Sequence, residues 1–128
     1  MIDKRLLKIA SNTKFYGLKN NYTYKTNLKN SICGDKISIE ISLKKNTIRE
    51  LRYETEACIF CQASASTLAN IAKNTNLSDL KRNLSKYLNF SKKVPKKFNN
   101  LNYLLKDKYM NRKDCILLPF KAFYKAIK

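Results

Sequence analysis

Residues 30–70, NSICGDKISIEISLKKNTIRELRYETEACIFCQASASTLAN, decide how this chain folds. Ile37, Ile39, Ile41 and Leu43 alternate with Ser38, Glu40 and Ser42, a period of two that predicts a strand with one buried face. Ile48, Leu51 and Tyr53 predict a weaker strand ahead of Thr55, reached through a hairpin turn at Lys44, Lys45 and Asn46. At Cys58 the period changes. Ile59, Ala63, Ser66, Ala69 and Ile71 recur at helical spacing as far as Lys73. The small side chains among them let that helix lie close against a sheet.

Working outward, Tyr22, Tyr24, Thr26 and Leu28 alternate with Thr23, Lys25 and Asn27 and predict an earlier strand. Before it, Ile2, Leu6, Ile9 and Ala10 place an amphipathic helix over residues 2–14, with Lys4, Arg5 and Lys8 facing out and Asp3 at its positive end. Gly17 breaks that pattern. Downstream, the stretch Leu77–Lys108 reads as helical through Leu80, Leu84, Tyr87, Leu88, Leu101, Leu104 and Leu105, with a break near Ser91–Lys97 around Pro95. A last helix, Arg112–Ile127, buries Leu117, Phe120, Phe123 and Tyr124. The expected fold is α+β: a three-stranded antiparallel meander packed against several helices. At 128 residues, with no repeat, linker or low-complexity tract, residues 1–128 read as a single domain.

No apolar run approaches the roughly 20 residues that span a bilayer. The N-terminus lacks the continuous apolar block of a signal peptide, so a cytoplasmic protein without a membrane partner is expected. The net charge of +18 attracts nucleic acid and acidic protein partners alike. Fifteen asparagines accompany the lysines, however, a bias that makes most of this charge a solvated surface. The 8 Tyr and 6 Phe offer stacking surfaces, but no RRM, KH or zinc-finger spacing is present. A basic nucleic-acid-binding module is therefore the distant reading, and no specific nucleic acid is expected.

Cys33, Cys58, Cys61 and Cys115 carry the chemistry. Four thiols in a reducing compartment point to metal or sulfur chemistry before disulfides. A free cysteine is also a common small core residue, and Cys61, one turn into a helix, fits that role as readily as a chemical one. The other three fall at element ends, where helices over a meander can gather them at one rim. Cys33 lies between two strands, Cys58 where a strand hands over to a helix, and Cys115 in the first turn of the final helix beside Arg112. Helix N-termini favour the thiolate, the form that binds metal or attacks sulfur. Gly34 permits a tight turn with positive φ. Asp35 adds an oxygen donor, and Cys3Asp suits either tetrahedral zinc or an iron–sulfur cluster held at one non-thiolate position. A solvent-facing turn aspartate is the alternative for Asp35.

Three motifs in order, Cys33-Gly34-Asp35, Ala57-Cys58-Ile59-Phe60-Cys61-Gln62-Ala63-Ser64-Ala65-Ser66 and Arg112-Lys113-Asp114-Cys115-Ile116-Leu117-Leu118-Pro119, resemble those of the NifU/IscU/SufU-type scaffold proteins, on which iron–sulfur clusters are assembled. Arg112 and the extra residues between Cys58 and Cys115 are most similar to the SufU-like branch. The chain departs from the family pattern in four places. Ala57 stands where glycine is usual, Ser31 where proline is common, Asp114 where one branch has histidine, and Cys61 where the SufU-like branch more often has serine. The Leu-Pro-Pro-Val-Lys chaperone motif is absent from the sequence.

The resemblance implies a scaffold rather than an enzyme, with Cys33, Asp35, Cys58 and Cys115 as ligands of a transient [2Fe-2S] cluster or of Zn2+. It implies a cysteine desulfurase as sulfur donor and iron–sulfur acceptor proteins downstream. Cys115, which opens a helix beside Arg112, is the expected first sulfur acceptor, with Arg112 and Gly34 as auxiliary candidates and Cys61 open to joining the cluster, relaying sulfur or neither. The alternative it carries is a zinc-bound sulfur acceptor that activates a SufS-type desulfurase.

Overall fold

The computed structural model describes residues 4–30, 34–88, 103–104 and 107–127. Along the chain these form α1 (Lys4–Ala10), β1 (Tyr24–Lys29), β2 (Lys36–Lys44), β3 (Thr47–Glu56), α2 (Ile59–Ala72), α3 (Leu77–Leu88), a 3-10 turn (Asp107–Arg112) and α4 (Lys113–Ala126). The strands form the expected antiparallel meander in the order β1-β2-β3.

Strand β2 is central, paired with β1 on one side and β3 on the other. Ile37, Ile39 and Ile41 are buried on one face, beside Leu51 and Tyr53 of β3 and Thr26 of β1. Each buried aliphatic side chain contributes roughly 1.5–3 kcal/mol relative to an exposed one. The register steps from Ser42↔Glu50 to Leu43↔Ile48, leaving Arg49 as an extra residue on β3. That bulge lets Ile48 and Leu51, three apart, face the same core. Lys45, at φ 57°, closes the hairpin.

Helix α2 lies between β3, α1 and α4. Eleven of its side chains are buried, and Ala63, Ser64, Ala65, Ser66 and Ala69 allow the close approach on each side. Of its buried hydroxyls, Thr67 donates within the helix to the Ala63 carbonyl at 2.9 Å, and the two serines bond outside it. Ser64 Oγ donates to the Ile116 carbonyl at 2.5 Å and Ser66 Oγ to the Asn12 carbonyl at 2.7 Å. The expected burial of Leu117, Phe120 and Phe123 in α4 is observed, with Tyr124 partly exposed.

Several expectations need correction. Helix α1 ends at Ala10 rather than residue 14, because the Asn12 side chain accepts the Lys14 N–H at 3.2 Å and turns the chain. Tyr22 lies outside β1 and is 47 % exposed. Helix α4 begins at Lys113, with Arg112 as its N-cap after the 3-10 turn. Glu40, expected on a partly wet face, is 1 % exposed. Residues 16–20 cross that face as a strap. Lys19 N and Asn20 N donate to Glu40 Oε1 at 2.9 and 3.1 Å, while Arg52 donates to the Gly17 and Tyr16 carbonyls at 2.9 and 2.8 Å. These donors replace water at Oε1, whereas Oε2 is buried with no hydrogen-bond partner among the described residues and lies 3.9 Å from Lys25 Nζ. Ile2, Ser31, Cys33, the break at Ser91–Lys97 with Pro95, Leu101 and Leu105 lie outside the described residues.

Candidate metal centre

Three element ends meet at one rim of the sheet. The first is the loop between β1 and β2, closed by Asn30 N to the Asp35 carbonyl (2.7 Å) and Gly34 N to the Asn30 carbonyl (2.8 Å). Gly34 has φ 79°, and a Cβ built there meets no atom within 4 Å. Its dihedral, not crowding, is what calls for glycine. The loop delivers Asp35 inward at 8 % exposure.

The second is the β3–α2 junction. Cys58 is the N-cap of α2, with φ −70° and ψ 167° and no side-chain capping bond. Its half-buried sulfur therefore stands at the positive end of a buried helix without being engaged in capping it. Ala57 is not among the residues with positive φ, so the junction forms without the glycine that the family pattern prefers.

The third is the first turn of α4. Cys115 is its third residue and 6 % exposed, followed by the buried Ile116, Leu117 and Leu118. Pro119 lies inside this helix and has no N–H to give the Cys115 carbonyl. The Ser64 hydroxyl takes up the neighbouring Ile116 carbonyl and ties the turn to α2.

The carboxylate of Asp35 and the sulfurs of Cys58 and Cys115 all lie within 4.8 Å of one another, and no other such group of three occurs among the described residues. Ligands of a tetrahedral metal at about 2.3 Å stand roughly 3.8 Å apart, so closing this set on an ion needs only small shifts. The donor chemistry agrees. Asp35 Oδ2 is buried with no hydrogen-bond partner among the described residues. A buried, unpaired carboxylate oxygen is costly, and a cation between it and two thiolates relieves that cost.

Among the seven site residues read from the sequence, the structure brings together Asp35, Cys58 and Cys115, with Gly34 shaping the loop. Cys33 lies outside the described residues, joined covalently to Gly34. Cys61 is not part of the group; it is 0 % exposed within the core. Arg112 is exposed, its guanidinium 5.7 Å from the centroid of the Phe60 ring. Phe60 in turn meets Tyr109 edge-on at 5.1 Å, and Tyr109 meets Tyr103 at 5.9 Å. This aromatic stack beside the rim was not read from the sequence, where Phe60 and Tyr109 are two apolar residues 49 apart in chain order.

Comparison with known proteins gives the family and the fold. Residues 3–108 match the family model of the NifU-like N terminal domain. The match stops short of Cys115, which tertiary contacts alone bring to the rim. The iron–sulfur cluster assembly scaffold protein IscU of Thermotoga maritima is 25% identical, aligning over 100% of this chain and 93% of that protein. An uncharacterised protein of Borreliella burgdorferi is 30% identical over 93% of this chain and 84% of its own length. Among solved structures, the N-terminal NifU-like protein of Brucella abortus superposes with a TM-score of 0.82 at 22% identity, covering 98% of this chain and 90% of that one. A candidate SUF-system scaffold protein from Fervidobacterium islandicum AW-1 gives a TM-score of 0.79 at 21% identity, covering 99% and 96%. At such identities these two likenesses speak for the fold.

Proposed function

The chain belongs to the NifU-like N-terminal domain family of iron–sulfur cluster assembly scaffolds, and from that premise we propose that it builds a transient [2Fe-2S] cluster on Cys33, Asp35, Cys58 and Cys115. The observation that carries this reading is the unpaired, buried oxygen of Asp35 beside two thiols. Three thiolates and one carboxylate hold a cluster less completely than four thiolates, which suits a centre meant to be handed on. The cluster is cargo, so the protein acts as a scaffold and not as an enzyme. Sulfur comes from a cysteine desulfurase persulfide. The Cys115 thiolate attacks the outer sulfur, a new S–S bond forms on Cys115, the desulfurase S–S bond breaks, and the desulfurase cysteine leaves as thiolate. Iron and reducing electrons come from separate donors, and acceptor proteins remove the finished cluster.

Anaerobic reconstitution with ferrous iron and sulfide tests the assignment. Wild type and Cys61→Ser are expected to gain visible absorption and acid-labile sulfide, and Cys58→Ser and Cys115→Ser to lose both. Normal reconstitution of the two ligand variants would refute it. The same donor set fits tetrahedral Zn2+, which supports a second reading, a zinc-bound sulfur acceptor that activates a SufS-type desulfurase. Metal content of freshly purified protein and desulfurase stimulation by the zinc form, with and without chelator, separate the two.

A further inference from the structure

On the outer side of the α1–α2 packing lies a groove of about 830 Å³, lined by Arg5, Lys8, Asn12, Asn70, Ile71 and Lys73 among others. No acidic side chain lines it, and Lys8 and Lys73 enter no ion pair among the described residues. Among the described residues the lining is therefore basic, with Lys8 and Lys73 carrying charge that no carboxylate offsets, while the Arg5 guanidinium lies 4.3 Å from the centroid of the Tyr103 ring. Its two amides are set in opposite senses. Asn12 Oδ1 is occupied by the Lys14 N–H, which leaves its Nδ2 hydrogens as donors. Asn70 Nδ2 donates to the Ser66 carbonyl at 2.8 Å, which leaves Oδ1 as an acceptor. Ile71, 9 % exposed, forms part of an apolar floor.

We propose that this groove docks an acidic, partly apolar, extended peptide segment of a partner protein. Carboxylates of such a segment meet Lys8 and Lys73. Its backbone C=O and N–H meet the Asn12 donor and the Asn70 acceptor, and its alternate apolar side chains rest on the floor. A phosphate backbone offers no hydrogen for the Asn70 acceptor, so a peptide fits better than a nucleic acid. Lys73 follows Cys58 by 15 residues, roughly 20 Å along α2 at about 1.5 Å per residue. A partner held there leaves the metal rim open.

The test uses the full metal-free chain and a fluorescein-labelled dodecapeptide of alternating glutamate and leucine, read by anisotropy at physiological salt. Lys8→Glu with Lys73→Glu is expected to weaken binding at least about tenfold, as reversal of two contributing charges implies. Lys29→Glu with Lys121→Glu, which reverses two exposed charges elsewhere, is expected to change it less than about twofold. Asn70→Leu is expected to weaken the peptide but not an oligothymidylate of equal charge. Unchanged binding in the groove variant, an equal loss in the Lys29/Lys121 variant, or displacement of the peptide by oligothymidylate more readily than by unlabelled peptide would overturn the proposal. None of these readouts involves the cluster, so they stand apart from reconstitution.

Discussion

Asp35 keeps one carboxylate oxygen buried and unpartnered among the described residues, at a rim where two thiols face it. In the metal-free protein this oxygen raises the free energy of the folded state, since water would satisfy it after unfolding. Asp35→Ala is therefore expected to stabilise the metal-free protein by about 1–2 kcal/mol in urea unfolding while weakening Zn2+ binding. A destabilised metal-free variant would show that the oxygen is not a burden. At this scale the sequence disclosed which residue types could ligate, and that Gly34 takes positive φ. It did not disclose that Asp35 is buried, because part of its cover comes from α4, almost eighty residues away. For Cys61 the sequence left packing and chemistry open, and the core position places it outside the thiol group at the rim.

Helix α4 presents Cys115 only as accurately as its first turn is held. Pro119 deprives that turn of one helical bond, and Ser64 supplies a bond from α2 to the adjacent Ile116 carbonyl. Ser64→Ala is expected to cost about 1–2 kcal/mol, because the carbonyl is left buried beside a side chain that cannot donate. The same change should lower Zn2+ affinity, measured by competition with a chromogenic chelator. Unchanged affinity with reduced stability would mean that Cys115 is positioned by packing alone. The elements themselves were largely legible. The alternation of β2 and the helical spacing after Cys58 each match an observed element. Strand β3 looked weak because Ile48 and Leu51 violate a period of two. The bulge at Arg49 restores their common face, and pairing with β2 creates that bulge.

Across the whole molecule, burial raises the pKa values of Tyr53 and Tyr124 above their ordinary value of 10.0. Tyr53 is fully enclosed at the α1–sheet junction, while Tyr124 bonds to the Lys81 carbonyl and Ser85 hydroxyl of α3. Unfolding releases both to ionise at their ordinary value. Stability is thus expected to hold up to about pH 10 and to fall as pH rises through the higher folded values. Tyr53→Phe should reduce the steepness of that alkaline loss in urea titrations at successive pH values, and an unaltered slope would contradict the assignment. The order and kind of elements, the thiols and the excess of positive charge followed from the sequence alone, since periodicity and residue chemistry are local properties. The burial of Glu40 under a strap, the exclusion of Cys61 from the thiol group and the meeting of Asp35, Cys58 and Cys115 were decided only in three dimensions. These depend on packing between distant segments, and no local pattern encodes how close two element ends come.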